Sequence, residues 1–144
     1  MKTYGGFLMS RIRHLSGRVG EKLLRESGVD IFNGAQGRIL YVLWEHGRLT
    51  ITEVGRLTSL AKTTLTSMLD RMEAGGLIER IPDARNRRQT FIAVTDKALS
   101  YREKYDWISD RASEIFYRGF TDDEITAFEN QLRRIIENLE QEGV

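Results

Sequence analysis

At 144 residues, the chain has room for one domain, or for one domain with an added helical element. Hydrophobic residues at 40% and charged residues at 30% describe a globular chain, and the absence of cysteine excludes a disulfide framework, a cysteine zinc site, a thiol nucleophile and a cysteine redox switch. A single proline favours long helices over many turns. No apolar run approaches the ~20 residues a membrane span needs. The apolar stretch Phe7 to Met9 is too short for a secretory signal, so no membrane partner and a cytoplasmic location are expected.

The formal net charge of +1 hides an uneven distribution. From Thr121 onward there are seven acids against two arginines, a net −5, which leaves +6 on the rest. The densest cationic stretch is Arg80 to Arg88, with four arginines against Asp83. Such a cluster serves equally as a solvated loop or as a contact to a polyanion, because phosphates respond to local potential.

Along the chain, Leu8, Ile12, Leu15, Val19 and Leu23 recur at steps of three and four, the period of a helix with one apolar stripe. Gly28 is expected to end that helix, and VDIFNGAQ reads as a short loop. The segment GRILYVLWEHG then places Ile39, Leu40, Leu43 and Trp44 on one helical face, with Gly47 as the C-cap. Thr50 and Glu53 form a capping box that starts a short helix, ITEVGRL. A turn around Thr58, Ser59 and Leu60 leads into AKTTLTSMLDRMEAGG. There Leu65, Met68, Leu69 and Met72 share a face, and Gly75 and Gly76 supply the C-terminal cap. The opposite face carries Thr63, Ser67 and Asp70, flanked by Thr64, Thr66 and Arg71. Two helices joined by a tight turn, the second with small polar side chains outward, read as a helix-turn-helix.

LIERI and TFIAV, rich in β-formers and separated by PDARNRRQ, predict a hairpin with a long arginine-rich tip. Thr95 or Asp96 caps a further helix bearing Tyr101, Tyr105, Ile108, Ala112 and Ile115. Thr121 and Glu124 open the last one, whose Ile125, Phe128, Leu132, Ile135 and Leu139 keep a 3,4,3,4 spacing. The fold class expected is therefore mainly α with a small β-hairpin wing, a winged helix-turn-helix. Residues 35–95 form the DNA-binding region and residues 1–34 and 96–144 a helical dimerisation region, all one intertwined domain.

This order suits double-stranded DNA. The second helix of the pair fits the major groove, and an arginine tip reaches an adjacent minor groove. Lys62, Thr63, Thr64, Thr66, Ser67 and Arg71 are the candidates for groove and phosphate contacts, with Arg85, Arg87 and Arg88 on the wing. His14 and His46 lie on separate predicted helices and make no metal-ligand spacing. No phosphate loop, nucleophile–base pairing or carboxylate pair points to an enzyme or to a cofactor.

From about residue 8 onward the chain resembles the MarR family of transcriptional regulators. The family's wing pattern D-x-R-x-x-R falls on Asp83, Arg85 and Arg88, its Leu-Thr at the wing exit appears as Val94-Thr95, and TTLTSMLDRMEAGGLIER matches its recognition helix and the run into the wing. Asn86 stands where members often carry Asp. The resemblance implies a homodimer with interlocked terminal helices and a role as a repressor on a pseudo-palindromic operator. It also implies a wing brace made by Asp70 and Asp83, with Asp70 paired to a wing arginine such as Arg88. A small aromatic or anionic effector would sit at the junction of terminal helices and winged helix, met by Arg11 or Arg13 with Trp44 as an apolar wall. Trp44, Trp107, Phe116 and Phe120 are available to line such a cavity, though ordinary core or dimer seam is the simpler reading for them. The competing class is a winged-helix adaptor that binds protein instead of DNA.

Overall fold

The computed structural model describes residues 1–144. Seven helices and three short strands follow one another as α1 (Gly5–Glu26), α2 (Gly34–His46), β1 (Leu49–Thr50), α3 (Ile51–Thr58), α4 (Lys62–Ala74), β2 (Ile78–Pro82), β3 (Thr90–Val94), α5 (Asp96–Leu99), α6 (Arg102–Phe116) and α7 (Asp122–Glu140). The chain divides within α6 into two compact units, Met1–Ala112 and Ser113–Val144.

The core of the first unit grows from the apolar faces read in the sequence. Ile39, Leu40, Leu43 and Trp44 of α2 and Leu65, Met68, Leu69 and Met72 of α4 are buried, together with Val54, Leu77, Ile78 and Ile92. α1 buries only Leu23 and Leu24. Its earlier stripe stays open, with Phe7, Leu8, Met9, Ile12 and Leu15 exposed. Gly37 of α2 is required by close approach: a Cβ there would lie 2.8 Å from the Tyr105 ring and 3.4 Å from Phe32. The hydrogen of glycine lets Tyr105 pack against Phe32, Tyr41 and Trp44, with ring centroids 5.3–6.2 Å apart.

Three elements differ from expectation. α2 begins at Gly34, inside the expected loop, because Asn33 and Gln36 form a reciprocal capping box. The expected hairpin is a three-stranded antiparallel sheet in the order β1-β3-β2, with Leu49 opposite Ile92 and Thr50 opposite Phe91. Finally, the single helix expected after Thr95 is two. Thr95 caps α5, but at Tyr101 the backbone N–H reaches back to Ala98, three residues away instead of four, and the Ser100 hydroxyl donates to the Lys97 carbonyl. The Tyr101 ring then stands edge-on to Phe32 at 6.1 Å.

The second unit contains the end of α6 and all of α7. Thr121 and Glu124 make the expected capping box at the start of α7. Tyr117 stacks edge-on with Phe116, Phe120 and Phe128, and its hydroxyl donates to Glu129 at 3.0 Å. Burial and the neighbouring Glu129 carboxylate raise the Tyr117 pKa above that of a free phenol. No residue of α7 is buried, and Ile135, Ile136 and Leu139 are exposed.

Candidate nucleic-acid interface

The turn between α3 and α4 is built by local chemistry. Thr50 accepts a hydrogen bond from the Glu53 N–H at 3.1 Å and so fixes the start of α3. Ser59 ends it in the left-handed region at φ 56°, an unusual conformation for a residue with a Cβ. α4 then starts at Lys62 behind Ala61, which has no side chain able to cap it, so its first N–H groups receive no side-chain acceptor. At the far end Gly76, at φ 75°, closes a Schellman turn: its N–H reaches the Glu73 carbonyl, and the Leu77 N–H reaches that of Met72.

All six groove candidates on α4 are exposed, as is Asp70: Lys62, Thr63, Thr64, Thr66, Ser67 and Arg71 line the side opposite the buried Leu65, Met68, Leu69 and Met72. They are not equally free. The Thr66 hydroxyl donates to the Lys62 carbonyl at 2.9 Å, and Arg71 Nη2 donates to Ser67 Oγ at 3.2 Å. Thr63 and Thr64 keep their hydroxyls unengaged.

β2 and β3 pair from Ile78 opposite Val94 to Pro82 opposite Thr90, and the wing turns back over residues 83–89. Asp83 Oδ1 accepts from the Arg85 N–H at 2.9 Å, and Asn86 Oδ1 accepts from the Arg88 N–H at 3.1 Å. Asp83 therefore shapes the tip itself, and Asn86 repeats the same local turn three residues on. The side chains of Arg85, Arg87 and Arg88 are exposed and pair with no carboxylate.

The expected pairing of Asp70 with Arg88 is not formed. Asp70 instead accepts from Arg80 Nη2 at 2.8 Å, while Arg80 Nη1 donates to Glu73 at 2.7 Å. Strand alternation explains the choice. Arg80 lies two residues from the buried Ile78 and opposite the buried Ile92, so it projects from the face of the sheet that packs on α4. Arg88 sits on the tip, beyond the paired strands. Burial disfavours the Arg80 charge, but its hydrogen bonds to Glu73 and Asp70 and the attraction of their carboxylates outweigh it, and the guanidinium pKa is raised. One cation thus ties two acids of α4 to the root of the wing.

Within the first unit, α1, α2 and α6 border an open cleft of about 1160 Å³. Arg13, Arg18, Arg25 and Arg38 line it against one acid, Glu21, whose carboxylate accepts from the Gly34 N–H at 2.8 Å. Of the residues expected to meet an effector, Arg13 is here. Arg11 is exposed and does not line the cleft. Trp44 is in the core, 7% exposed, because it shares its helical face with Leu40 and Leu43, and its ring packs on Tyr105. His14 borders the cleft and His46 is exposed at the end of α2.

The model of the MarR family matches residues 32–90, the span from α2 to the start of β3. The chain is 31% identical to the HTH-type transcriptional regulator TtmR of Methylorubrum extorquens, over 92% of this chain and 66% of that protein. Among solved structures, a MarR protein from Peptoclostridium difficile superposes with a TM-score of 0.86 at 19% identity, covering 99% and 91% of the two chains. Reduced AbfR bound to DNA matches with a TM-score of 0.73 at 28% identity, covering 92% and 90%. The chain belongs to the MarR family. It is a DNA-binding transcriptional regulator with the winged helix-turn-helix fold. No helix is long and apolar enough to cross a membrane.

Several residues that matter in this MarR-family chain do not stand out in its sequence. Arg80 is within reach, since period two from Ile78 marks the face turned to α4, but LIERI registers first as a run of β-formers. Glu73 sits one turn beyond Asp70 on the same exposed side and carries the same signal. Arg18 and Arg25, seven residues apart, share a face of α1, but Arg38 comes from α2, and nothing in linear spacing brings it to them.

Proposed function

We propose that the chain acts in the cytoplasm as a homodimeric repressor on an inverted-repeat operator, each protomer laying α4 in a major groove and its wing tip in the adjoining minor groove. The observation that carries this is the polar outer face of α4 tied through Arg80 to a wing whose tip arginines have no protein partner. An adaptor surface would need apolar anchors, and that face of α4 offers none. Two-fold symmetry sets the recognition helices about one DNA turn, ~34 Å, apart. Selection of bound fragments from genomic DNA should return inverted repeats with that half-site spacing. Thr64→Ala, which removes an unengaged hydroxyl, should shift the consensus at one symmetric position by ~1–3 kcal/mol of base preference. A consensus without dyad symmetry would refute the operator geometry.

The cleft supports a second part of the proposal: a small aromatic anion lodged among Arg13, Arg18, Arg25 and Arg38 releases the DNA. Four arginines outweigh Glu21, so the cleft favours anions. Because it is bounded by both α1 and α2, an occupant bears on the spacing between terminal helix and winged helix, and only a ligand that prefers one spacing can shift the equilibrium. Salicylate titrated into the DNA complex at millimolar concentration should release it, and Arg38→Ala should raise the concentration needed. With no thiol in the chain, peroxide should leave binding largely intact apart from slow methionine oxidation. Rapid peroxide release reversed by a thiol would contradict this proposal, as would salicylate-induced release that Arg38→Ala leaves unchanged.

A further inference from the structure

Arg48, in the short connection between α2 and β1, belongs to no motif of the wing, yet it stands beside it. Its guanidinium carbon lies 4.3 Å from the centroid of the Phe91 ring. The register accounts for this. Leu49 opposes Ile92, and both turn into the core; Thr50 opposes Phe91, so Arg48 and Phe91 project from the other face, diagonally across the β1–β3 ladder. Below the wing tip the two side chains share a recess of about 450 Å³ with Pro82, Asp83 and Arg85.

The electrostatics of this recess are unbalanced. Asp83 is its only acid, and Asp83 Oδ1 is already occupied by the Arg85 backbone N–H. Arg48 forms no ion pair. Two guanidinium groups therefore border one recess, and the first is held over an aromatic ring instead of sweeping through solvent. Stacking on a ring leaves the edge donors of a guanidinium free, and that planar fork matches two oxygens of a phosphate. A cation ordered in advance gives up less freedom on contact than a loose one.

We propose that Arg48, held by Phe91, is a further DNA-binding residue that grips a backbone phosphate at the root of the wing, with Arg85 on the same strand of DNA. The proposal rests on the reading that the wing enters DNA. It extends the contact from the exposed tip arginines to a position fixed by the sheet. Because a phosphate carries no base information, Arg48 contributes affinity and register without sequence preference.

The test uses the full chain, the selected operator duplex and a random duplex, with affinity measured across a series of salt concentrations. Arg48→Ala should weaken both duplexes about equally, by about tenfold, and flatten the salt dependence by about one contact per subunit, two per dimer. Arg48→Lys should keep the salt slope while losing part of the affinity, since it retains the charge without the fork. Phe91→Leu should keep the slope and weaken binding severalfold, because the charge stays but its ordering is lost. Arg87→Ala and Arg134→Ala serve as comparisons, one at the wing tip and one on α7. An unchanged slope for Arg48→Ala beside a flattened slope for Arg87→Ala would overturn the assignment and leave the wing reading standing. Unchanged slopes for both would overturn the wing reading as well. Equal flattening by Arg134→Ala would reduce Arg48 to general charge and overturn its specific role.

Discussion

Arg80→Ala is expected to lower operator affinity by about 30- to 100-fold per dimer, although Arg80 itself lies at the root of the wing instead of its tip. The arginine makes two charge-assisted hydrogen bonds, at 2.7 Å to Glu73 and 2.8 Å to Asp70, and its side chain is 24% exposed. Hydrogen bonds to charged groups contribute ~1.5–3 kcal/mol where they are shielded, and solvent discounts that here to ~1 kcal/mol or a little more. Each subunit loses that much wing positioning, and the loss counts twice in a dimer. The change also strips the cation from two acids on the side of α4 proposed to face DNA. Asp70→Ala separates these effects. Simple electrostatics predicts tighter binding, because a negative charge leaves a DNA-facing surface. The brace predicts weaker binding, because Arg80 loses one of its two anchors. Affinity from salt-controlled binding, with thermal melts to check the fold, decides between them. Tighter binding by Asp70→Ala would rule the brace out.

The two halves of this brace differ in how far a sequence can carry them. The face of α4 is legible because four buried residues at helical spacing define the polar side by subtraction. The wing is legible because two short β-rich runs flanking a cationic stretch pair most simply as a hairpin. The partner of Asp70 is not, since any of four arginines in nine residues satisfies the charge, and only strand register singles out Arg80. β1 is hidden for a related reason: two residues cannot show an alternation. The start of α2 hides behind Gly34, although Asn33 and Gln36 already spell the capping box. Trp44 has the chemistry of an effector wall, while its own helical neighbours, Leu40 and Leu43, mark it as core. The cleft arginines depend on how α1 and α2 cross, a tertiary fact that no periodicity encodes.

Charged residues on the outer seam of α7 should abolish dimerisation and with it nearly all operator binding. The stripe read as Ile125 to Leu139 is only half covered within its own unit: Ile125, Phe128 and Leu132 are partly buried, whereas Ile135 and Leu139 are 38% and 58% exposed. α1 presents the same imbalance, with Phe7, Leu8, Met9, Ile12 and Leu15 all exposed. Exposed apolar stripes on both terminal helices call for a partner surface, and a second copy of the chain supplies one of matching length and character. Full burial of a Leu or Ile side chain is worth ~1.5–3 kcal/mol, and only the 38% and 58% still open remain for a partner to cover, so replacing Ile135 and Leu139 with Glu in both copies removes roughly 3–6 kcal/mol before any cost of burying the new charges. Leu132 is the poorer target because it is half-buried within the protomer, where a charge would damage the fold as well. Ile135→Glu with Leu139→Glu should therefore give a folded monomer: helical by circular dichroism, half the mass by light scattering at micromolar concentration. Operator affinity should fall by about 10²–10⁴, the avidity lost when two half-sites are no longer linked, while each protomer keeps its weak, salt-sensitive hold on random duplex. A variant that stays dimeric and keeps its operator affinity would place the partner surface elsewhere on the chain.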